Sequence, residues 1–349
     1  MSEAPDADAD ADADAGTDPL AAVVKKADAE AAIEALTAEG VYDDDRRVRE
    51  FGPDAVALPV TDPPAETTVR EVVRQEPAPR LRTLEDHLAW QGWTAAEIER
   101  APGSWTVIGS VVLVDVGDAP RPEEVGEALL ELHANADTVL ARRGIAGEQR
   151  EPEVEVLAGS GDTETIHTEH GTRYALDLSQ VMFSPGNKAE RERMGAVVAP
   201  DERVFDMFAG VGYFTLPMAR AGAHVTAAEI NPTAFRYLLE NAKLNDVHDR
   251  VDLYRADCRD VAEGVTADRV VMGYYEAHEY LDAALSALEP DGIVHLHEAT
   301  PDKRVFDRPI ERLEAAAAER DRAVDVLETR RVKGYSEGVA HVVVDARVE

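Results

Sequence analysis

Residues 204–212, Val-Phe-Asp-Met-Phe-Ala-Gly-Val-Gly, hold the clearest chemical signal in this chain. An apolar run into Asp206 predicts a strand that ends in a tight glycine turn and opens a helix. Gly210 and Gly212 let backbone approach a ligand closely, at the carboxyl edge of a sheet where such folds bind nucleotides. A second predicted strand ends in Glu229, whose carboxylate can accept both hydroxyls of a ribose. A third leads to Asp257 and Cys258, where a carboxylate can accept an adenine amino group. A glycine pair alone is weak evidence, because many strand-to-helix turns need glycine for their shape. Acids at the ends of three successive strands are far more specific, and they point to a nucleoside-bearing ligand. A nicotinamide cofactor is disfavoured, since Thr215 stands where G-x-G-x-x-G has its third glycine.

These residues need a parallel sheet to hold them. After residue 178 the pattern alternates, with strands expected at 204–207, 224–230, 251–254, 269–272 and 293–297 and helices between them, such as 232–244. Alternation of this kind predicts an α/β fold with a mostly parallel, doubly wound sheet over 179–349. The last strand, 339–348, is expected as an antiparallel edge. Upstream, a helix over 84–100, an apolar strand over 105–116, a helix opening at Pro122 and strands at 154–157, 163–168 and 172–178 predict a small α+β domain over 81–178. Residues 22–36 read as a helix, followed by Pro53, Pro59, Pro63, Pro64, Pro77 and Pro79; segment 20–80 is therefore expected to be a helix and a proline-rich linker. The Ala-Asp alternation within 1–19 has almost nothing to bury and predicts a disordered acidic tail.

Composition narrows the class. The 349 residues include 70 acids and 36 bases, a net charge of −34. No run approaches the ~18 to 20 apolar residues of a membrane span, and the acidic N-terminus lacks a secretion signal. A single cysteine, Cys258, excludes an intrachain disulfide. A cytoplasmic protein is expected. Such acidity argues against nucleic acid, yet it is spread along the chain, and only six of the bases are lysine. An acidic, arginine-over-lysine composition looks like that of a protein from an extreme halophile. In molar salt, with a Debye length of about 3 Å, net charge reports the solvent rather than the partner. The alternative, an acidic protein with no nucleic-acid role, stays open on composition.

The strand-end constellation resembles that of the S-adenosylmethionine-dependent class I transferases, of Rossmann-like fold. Just upstream, Phe183-Ser-Pro-Gly-Asn187 and Glu190-Arg191 resemble a signature of two related families that modify position 37 of transfer RNA. One comprises guanine-37 N1-methyltransferases; the other, aminocarboxypropyltransferases of the wyosine pathway. The methyltransferases typically carry Phe-Ser-Pro-Arg at the first block and Asn-Leu-Pro after the fourth strand. This chain has Gly186-Asn187 at the first place and Met272-Gly-Tyr274 at the second. That block, the His295-Leu-His297-Glu298 run and the ending at His341 through Asp345 are similar to the archaeal aminocarboxypropyltransferases. The resemblance covers roughly residues 105–349.

It implies S-adenosylmethionine as the aminocarboxypropyl donor and 4-demethylwyosine at position 37 of phenylalanine transfer RNA, in the anticodon region, as the acceptor. Ser184 and Arg191 would hold the amino-acid end of the donor, Glu229 its ribose, and Asp257 with Cys258 its adenine, with Asn187, Asp206, Gly210 and Gly212 as further cofactor-binding positions. Guanine-37 N1-methylation is the alternative activity, and a noncatalytic RNA-binding protein with a vestigial cofactor fold is the alternative of another class. His278 is a weak candidate for a catalytic base; a histidine bonded to a nearby loop is the plainer reading. His295 and His297 lack a credible third ligand, so no metal is expected. Arg142, Arg143, Arg150, Arg173, Lys188, Arg191, Arg193, Arg330, Arg331 and Lys333 are candidate RNA contacts, and Tyr274 or Tyr275 could stack on a base. A monomer is compatible with everything in the sequence.

Overall fold

The computed structural model describes residues 19–76, 78–147 and 150–349. The expected acidic tail, save Pro19, lies outside them. The chain divides after Trp90 into two compact units.

The first unit corrects the linker expectation. Strand β1 (Leu20–Lys25) is followed by helix α1 (Ala29–Glu39), then by β2 (Arg49–Glu50), β3 (Ala55–Val60), β4 (Glu71–Arg74) and helix α2 (Leu84–Trp90). The strands form one antiparallel sheet in the order β2-β3-β1-β4. Its core is Ala22, Val24, Ala32, Leu36, Leu58 and Val60. The helix expected over 22–36 begins only at Ala29, because the Leu-Ala-Ala-Val-Val run pairs with β3 from Leu20↔Val60 to Lys25↔Ala55. A short apolar run has no period that separates strand from helix; the distant partner decides. Pro59 is tolerated because β2 pairs only with Val56 and Ala57, so the proline lies beyond it.

The second unit opens with helix α3 (Ala95–Ile98), so the helix expected over 84–100 is two short ones broken at Gly92. Strands β5 (Trp105–Ile108) and β6 (Val111–Val114) replace the single strand expected over 105–116, because Gly109, at φ +58°, turns the chain back on itself. Helix α4 (Pro122–Leu132) crosses over to β7 (Thr138–Ala146), parallel to β6, and β8 (Glu151–Gly159) returns antiparallel. Strands β9 (Glu164–Glu169) and β10 (Thr172–Asp177) form a hairpin.

The rest is the α/β fold expected. Its elements are α5 (Lys188–Val197), β11 (Arg203–Asp206), α6 (Thr215–Arg220), β12 (His224–Ala228), α7 (Pro232–Leu244), β13 (Val251–Tyr254), α8 (Cys258–Ala262), β14 (Ala267–Met272), α9 (Leu281–Ala287), β15 (Leu288–Pro301), α10 (Asp307–Ala318), β16 (Val324–Ser336) and β17 (Val339–Val348). Seven strands lie in the order β13-β12-β11-β14-β15-β17-β16. The first five are parallel, and β17 runs antiparallel to both neighbours. Strand order reverses between β11 and β14, which is where such sheets open a ligand crevice. Both faces are covered: Val204 packs into one core with Leu216, Val225 and Leu238, and its neighbour Phe205 packs into the other with Val270, Val294 and Leu313. Strand β17 is not the expected edge. Ala340 through Ala346 are buried, as a run apolar on both faces should be. The edge is β16, whose charged residues hid it from a search for apolar runs.

Candidate active site

One cleft opens at the carboxyl ends of β11, β12, β13 and β14. Seven of the nine predicted binding residues line it: Ser184, Asn187, Arg191, Gly210, Glu229, Asp257 and Cys258. Asp206 and Gly212 do not.

Glu229 is the hub of one end of the cleft. Its Oε2 accepts the Gly210 N–H (2.7 Å) and its Oε1 accepts the Asn231 N–H (2.7 Å). Each oxygen keeps a lone pair, which two ribose hydroxyls can use. Burial pushes this carboxyl above its usual range, against the backbone donors of Asn231, Gly210 and Ile230 that favour the charge. Gly210, at φ +58°, is required: a Cβ there would fall 2.3 Å from the Tyr213 ring. Gly212 serves packing, since a Cβ there would strike Leu216 and Leu238.

Asp206 is sealed behind the turn, with no exposed surface. It accepts the Thr215 hydroxyl (2.7 Å) and the Phe208 N–H (3.3 Å), and burial raises its carboxyl to about 6. It shapes the turn rather than touching a ligand. Asp257 caps α8 by accepting the Arg259 N–H (2.8 Å), and the Arg259 guanidinium lowers its carboxyl below the usual range. Cys258 is buried, and burial lifts its thiol to about 12. No thiolate forms there at neutral pH.

The opposite end of the cleft is cationic. The turn at Ser184–Asn187 leads into α5, which is pinned from its far side. Glu190 accepts from Arg330 Nε (2.9 Å), while Arg193 and Arg330 both donate to Asp345 on β17. Asp345 also lies 2.6 Å from His295 Nδ1, and the Arg330 and His295 contacts hold its carboxyl far below the ordinary range despite burial. Arg191 emerges from this fixed helix, 2% exposed, stacked 4.7 Å over Phe183. Its Nε and Nη2 donate to Glu169 (2.6 and 2.9 Å), and Nη1 donates to the Ser184 carbonyl (2.9 Å). The bidentate edge expected to face a ligand carboxylate is therefore already used. Despite burial, His167 and Arg191 pull Glu169 down to about 2, so this pair is fully ionised.

Glu169, on β9, carries no motif and was invisible in the sequence. Arg150 was visible only as an RNA candidate, yet it lines the cleft, with its guanidinium 5.8 Å and 5.2 Å from the Tyr274 and Tyr275 rings. Phe208, Tyr274 and Tyr280 form an aromatic wall, with Phe208 5.2 and 5.1 Å from the two tyrosines. Among the other RNA candidates, Arg143, Arg193, Arg330 and Arg331 are engaged with carboxylates of the protein itself. His278 does not line the cleft; burial, with Arg312 nearby, lowers its pKa. His297 and His341 face each other in the core (3.0 Å), both kept neutral by burial. Among the described residues, no three His, Cys, Asp or Glu side chains are grouped to hold a metal, and no helix is long and apolar enough to cross a membrane.

Strand order, glycine turn and strand-end carboxylates together define a Rossmann-like fold of the class I S-adenosylmethionine-dependent transferase type. Two family models match the chain: a TRM5/TYW2 methyltransferase domain over residues 165–327 and a TYW2 N-terminal domain over residues 84–163. The chain is 41% identical over 256 residues to the tRNA(Phe) (4-demethylwyosine(37)-C(7)) aminocarboxypropyltransferase of Pyrococcus horikoshii, covering 72% of this chain and 91% of that one. Among solved structures, P. horikoshii TYW2 in complex with MeSAdo superposes with a TM-score of 0.65 at 36% identity, over 76% of this chain and 97% of that one. Trm5b from Pyrococcus abyssi gives 0.71 at 32% identity, over 95% and 99%. The chain belongs to the TRM5/TYW2 family.

Proposed function

We propose that the chain transfers the 3-amino-3-carboxypropyl group of S-adenosylmethionine to carbon 7 of 4-demethylwyosine at position 37 of phenylalanine transfer RNA, releasing methylthioadenosine. The donor supplies a sulfonium whose alkyl substituents are open to displacement. The cleft fits it. Glu229 has two free acceptor sites for ribose, Asp257 stands where adenine would lie, and Asn187 Oδ1 is buried without a hydrogen-bond partner beside Ser184 and Arg191. A new carbon–carbon bond at carbon 7 replaces the carbon–sulfur bond, and the proton on carbon 7 leaves. No histidine lines the cleft among the described residues, so we assign catalysis to orientation in a rigid site rather than to a dedicated base.

Gly273 is the observation that favours this reading over N1-methylation. It lines the cleft where the methyltransferases typically carry asparagine, and a Cβ there would lie 2.7 Å from the Phe214 ring. An amide cannot enter without moving buried Phe214. The noncatalytic alternative is disfavoured by the retained Glu229 and Asp257 geometry. Transfer RNA would enter at the anticodon end, meeting Arg150 and the tyrosine wall. We further assign the protein to the cytoplasm of a salt-rich cell.

The test is incubation in high salt with precursor-bearing transfer RNA and donor labelled separately on the methyl and carboxyl carbons. Carboxyl label in RNA with methylthioadenosine released is the expected result. Methyl label in RNA would overturn it in favour of methylation, and binding of both substrates without transfer would favour the noncatalytic role.

A further inference from the structure

Which group meets the donor's carboxylate is a question that rests on the S-adenosylmethionine reading and sharpens it. Arg191 has spent its bidentate edge on Glu169. A second cation stands beside it. Lys333, on β16, donates from Nζ to Ser184 Oγ (2.5 Å) and lies 6.0 Å from the Tyr275 ring, and both of those residues line the cleft.

Lys333 is half-buried, and among the described residues no carboxylate pairs with it. The charged groups around it, Arg142, Arg191 and Arg150, are all cations; burial and these neighbours push its ammonium down to about 8. In a chain with 70 acids and 36 bases, such a place is conspicuous. A lysine with no acid of its own, set among cations, costs energy that a bound anion recovers. The lysine is also held in place from behind: Arg330, three residues earlier on the same strand, is locked to Glu190 and Asp345.

Gly186 admits this side chain. A Cβ on Gly186 would lie 2.8 Å from Lys333 Cδ and 3.5 Å from Nζ. The arginine that the methyltransferases typically carry at this place would occupy the lysine's path. We propose that Lys333 binds the α-carboxylate of the donor's methionine arm, and that Gly186 is a specificity-determining position because its bare backbone lets Lys333 reach Ser184. Pinning the carboxylate there fixes the far end of the arm, and with it which carbon on sulfur can be offered to the acceptor.

Calorimetric titration of the full chain in molar salt, with S-adenosylmethionine and with methylthioadenosine, tests this directly. Methylthioadenosine keeps the adenosine and lacks the arm. Lys333→Met is expected to weaken S-adenosylmethionine binding about tenfold or more, as loss of a charge-assisted hydrogen bond does, and to leave methylthioadenosine within about twofold. Gly186→Ala keeps every charge and displaces only a flexible lysine terminus. It should weaken the donor alone by several-fold, and the double variant should bind no worse than Lys333→Met. Unchanged donor affinity in Lys333→Met, or equal loss for both ligands, would overturn the assignment. So would loss of RNA binding with donor affinity intact, which would give the site to a phosphate. Failure of the wild type to bind either ligand would instead remove the cofactor reading itself.

Discussion

The two ends of the cleft are built on opposite electrostatic plans. At the nucleoside end, carboxylates stand at strand termini and are held by backbone N–H groups: Glu229 by Gly210 and Asn231, Asp257 by Arg259. At the other end Arg150, Arg191 and Lys333 gather as cations, and of these Arg191 is paired with Glu169. Hydroxyls and an amino group need acceptors, whereas an amino-acid arm and RNA bring negative charge and need donors. A net charge of −34 describes neither end. In molar salt the surface acids are screened, but the partly buried groups of the cleft are screened much less.

The sharpest break of this contrast is at Arg191. Arg191→Ala would leave Glu169, 5% exposed, with only His167 within hydrogen-bond reach of its carboxylate. Breaking a buried pair from one side costs about 3 to 5 kcal/mol, so denaturant unfolding should show a loss of that order. Adding Glu169→Gln should recover much of it. If Arg191→Ala unfolds like the wild type, the cationic end is less tightly built than its distances imply.

The same contrast at the nucleoside end turns on Glu229. Glu229→Ala removes both ribose acceptors and frees the Gly210 N–H. Methylthioadenosine affinity should fall about a hundredfold, the scale of losing two hydrogen bonds to a charged group. Because the loss lies at the nucleoside end, it should be equal for S-adenosylmethionine. A loss confined to the donor would place Glu229 at the arm instead.

Between these ends, legibility in the sequence followed locality. Gly210, Glu229 and Asp257, which line the cleft, were legible because each closely follows a strand in the chain, whereas Asp206, read by the same rule, is sealed behind the turn. Glu169 and Lys333 come from β9 and β16, far from the turn in sequence, and only tertiary pairing brings them to Ser184. Strand β16 itself was missed because Asp325, Glu328, Arg330, Arg331 and Lys333 break any apolar pattern, although Arg330 turns inward to bind Glu190 and Asp345. The first unit was misread for a related reason. Its proline content suggested a linker, whereas its sheet depends on β1 finding β3 across the intervening helix.

Asp206 separates a structural acid from a binding acid. Its folded carboxyl, near 6, is raised above the unfolded value of 3.8. The folded state therefore keeps a proton that the unfolded state releases, and stability declines as pH rises from about 4 to 6. Asp206→Asn removes that decline, since the Thr215 hydroxyl can turn to accept from the new amide. The variant should match the wild type near pH 4 and exceed it by about 3 kcal/mol above pH 6, with cofactor affinity nearly unchanged. Thermal unfolding across this range decides it; a pH-independent difference would sink the assignment.

Cys258 should matter least, and for a reason that tests the same logic. It lines the cleft beside Asp257, so contact alone would make it a nucleophile candidate. A nucleophile must be ionised, and ionisation here would place a second negative charge in a buried site beside Asp257; both effects push the thiol up to about 12. What the position contributes is backbone at the start of α8, which any small side chain preserves. Cys258→Ala should therefore keep transfer within about threefold and leave the pH profile of the rate without a new inflection. A tenfold loss with unchanged cofactor affinity would mean that the thiol takes part in the reaction, and the acceptor-rich end of the cleft would then be doing more than holding a nucleoside.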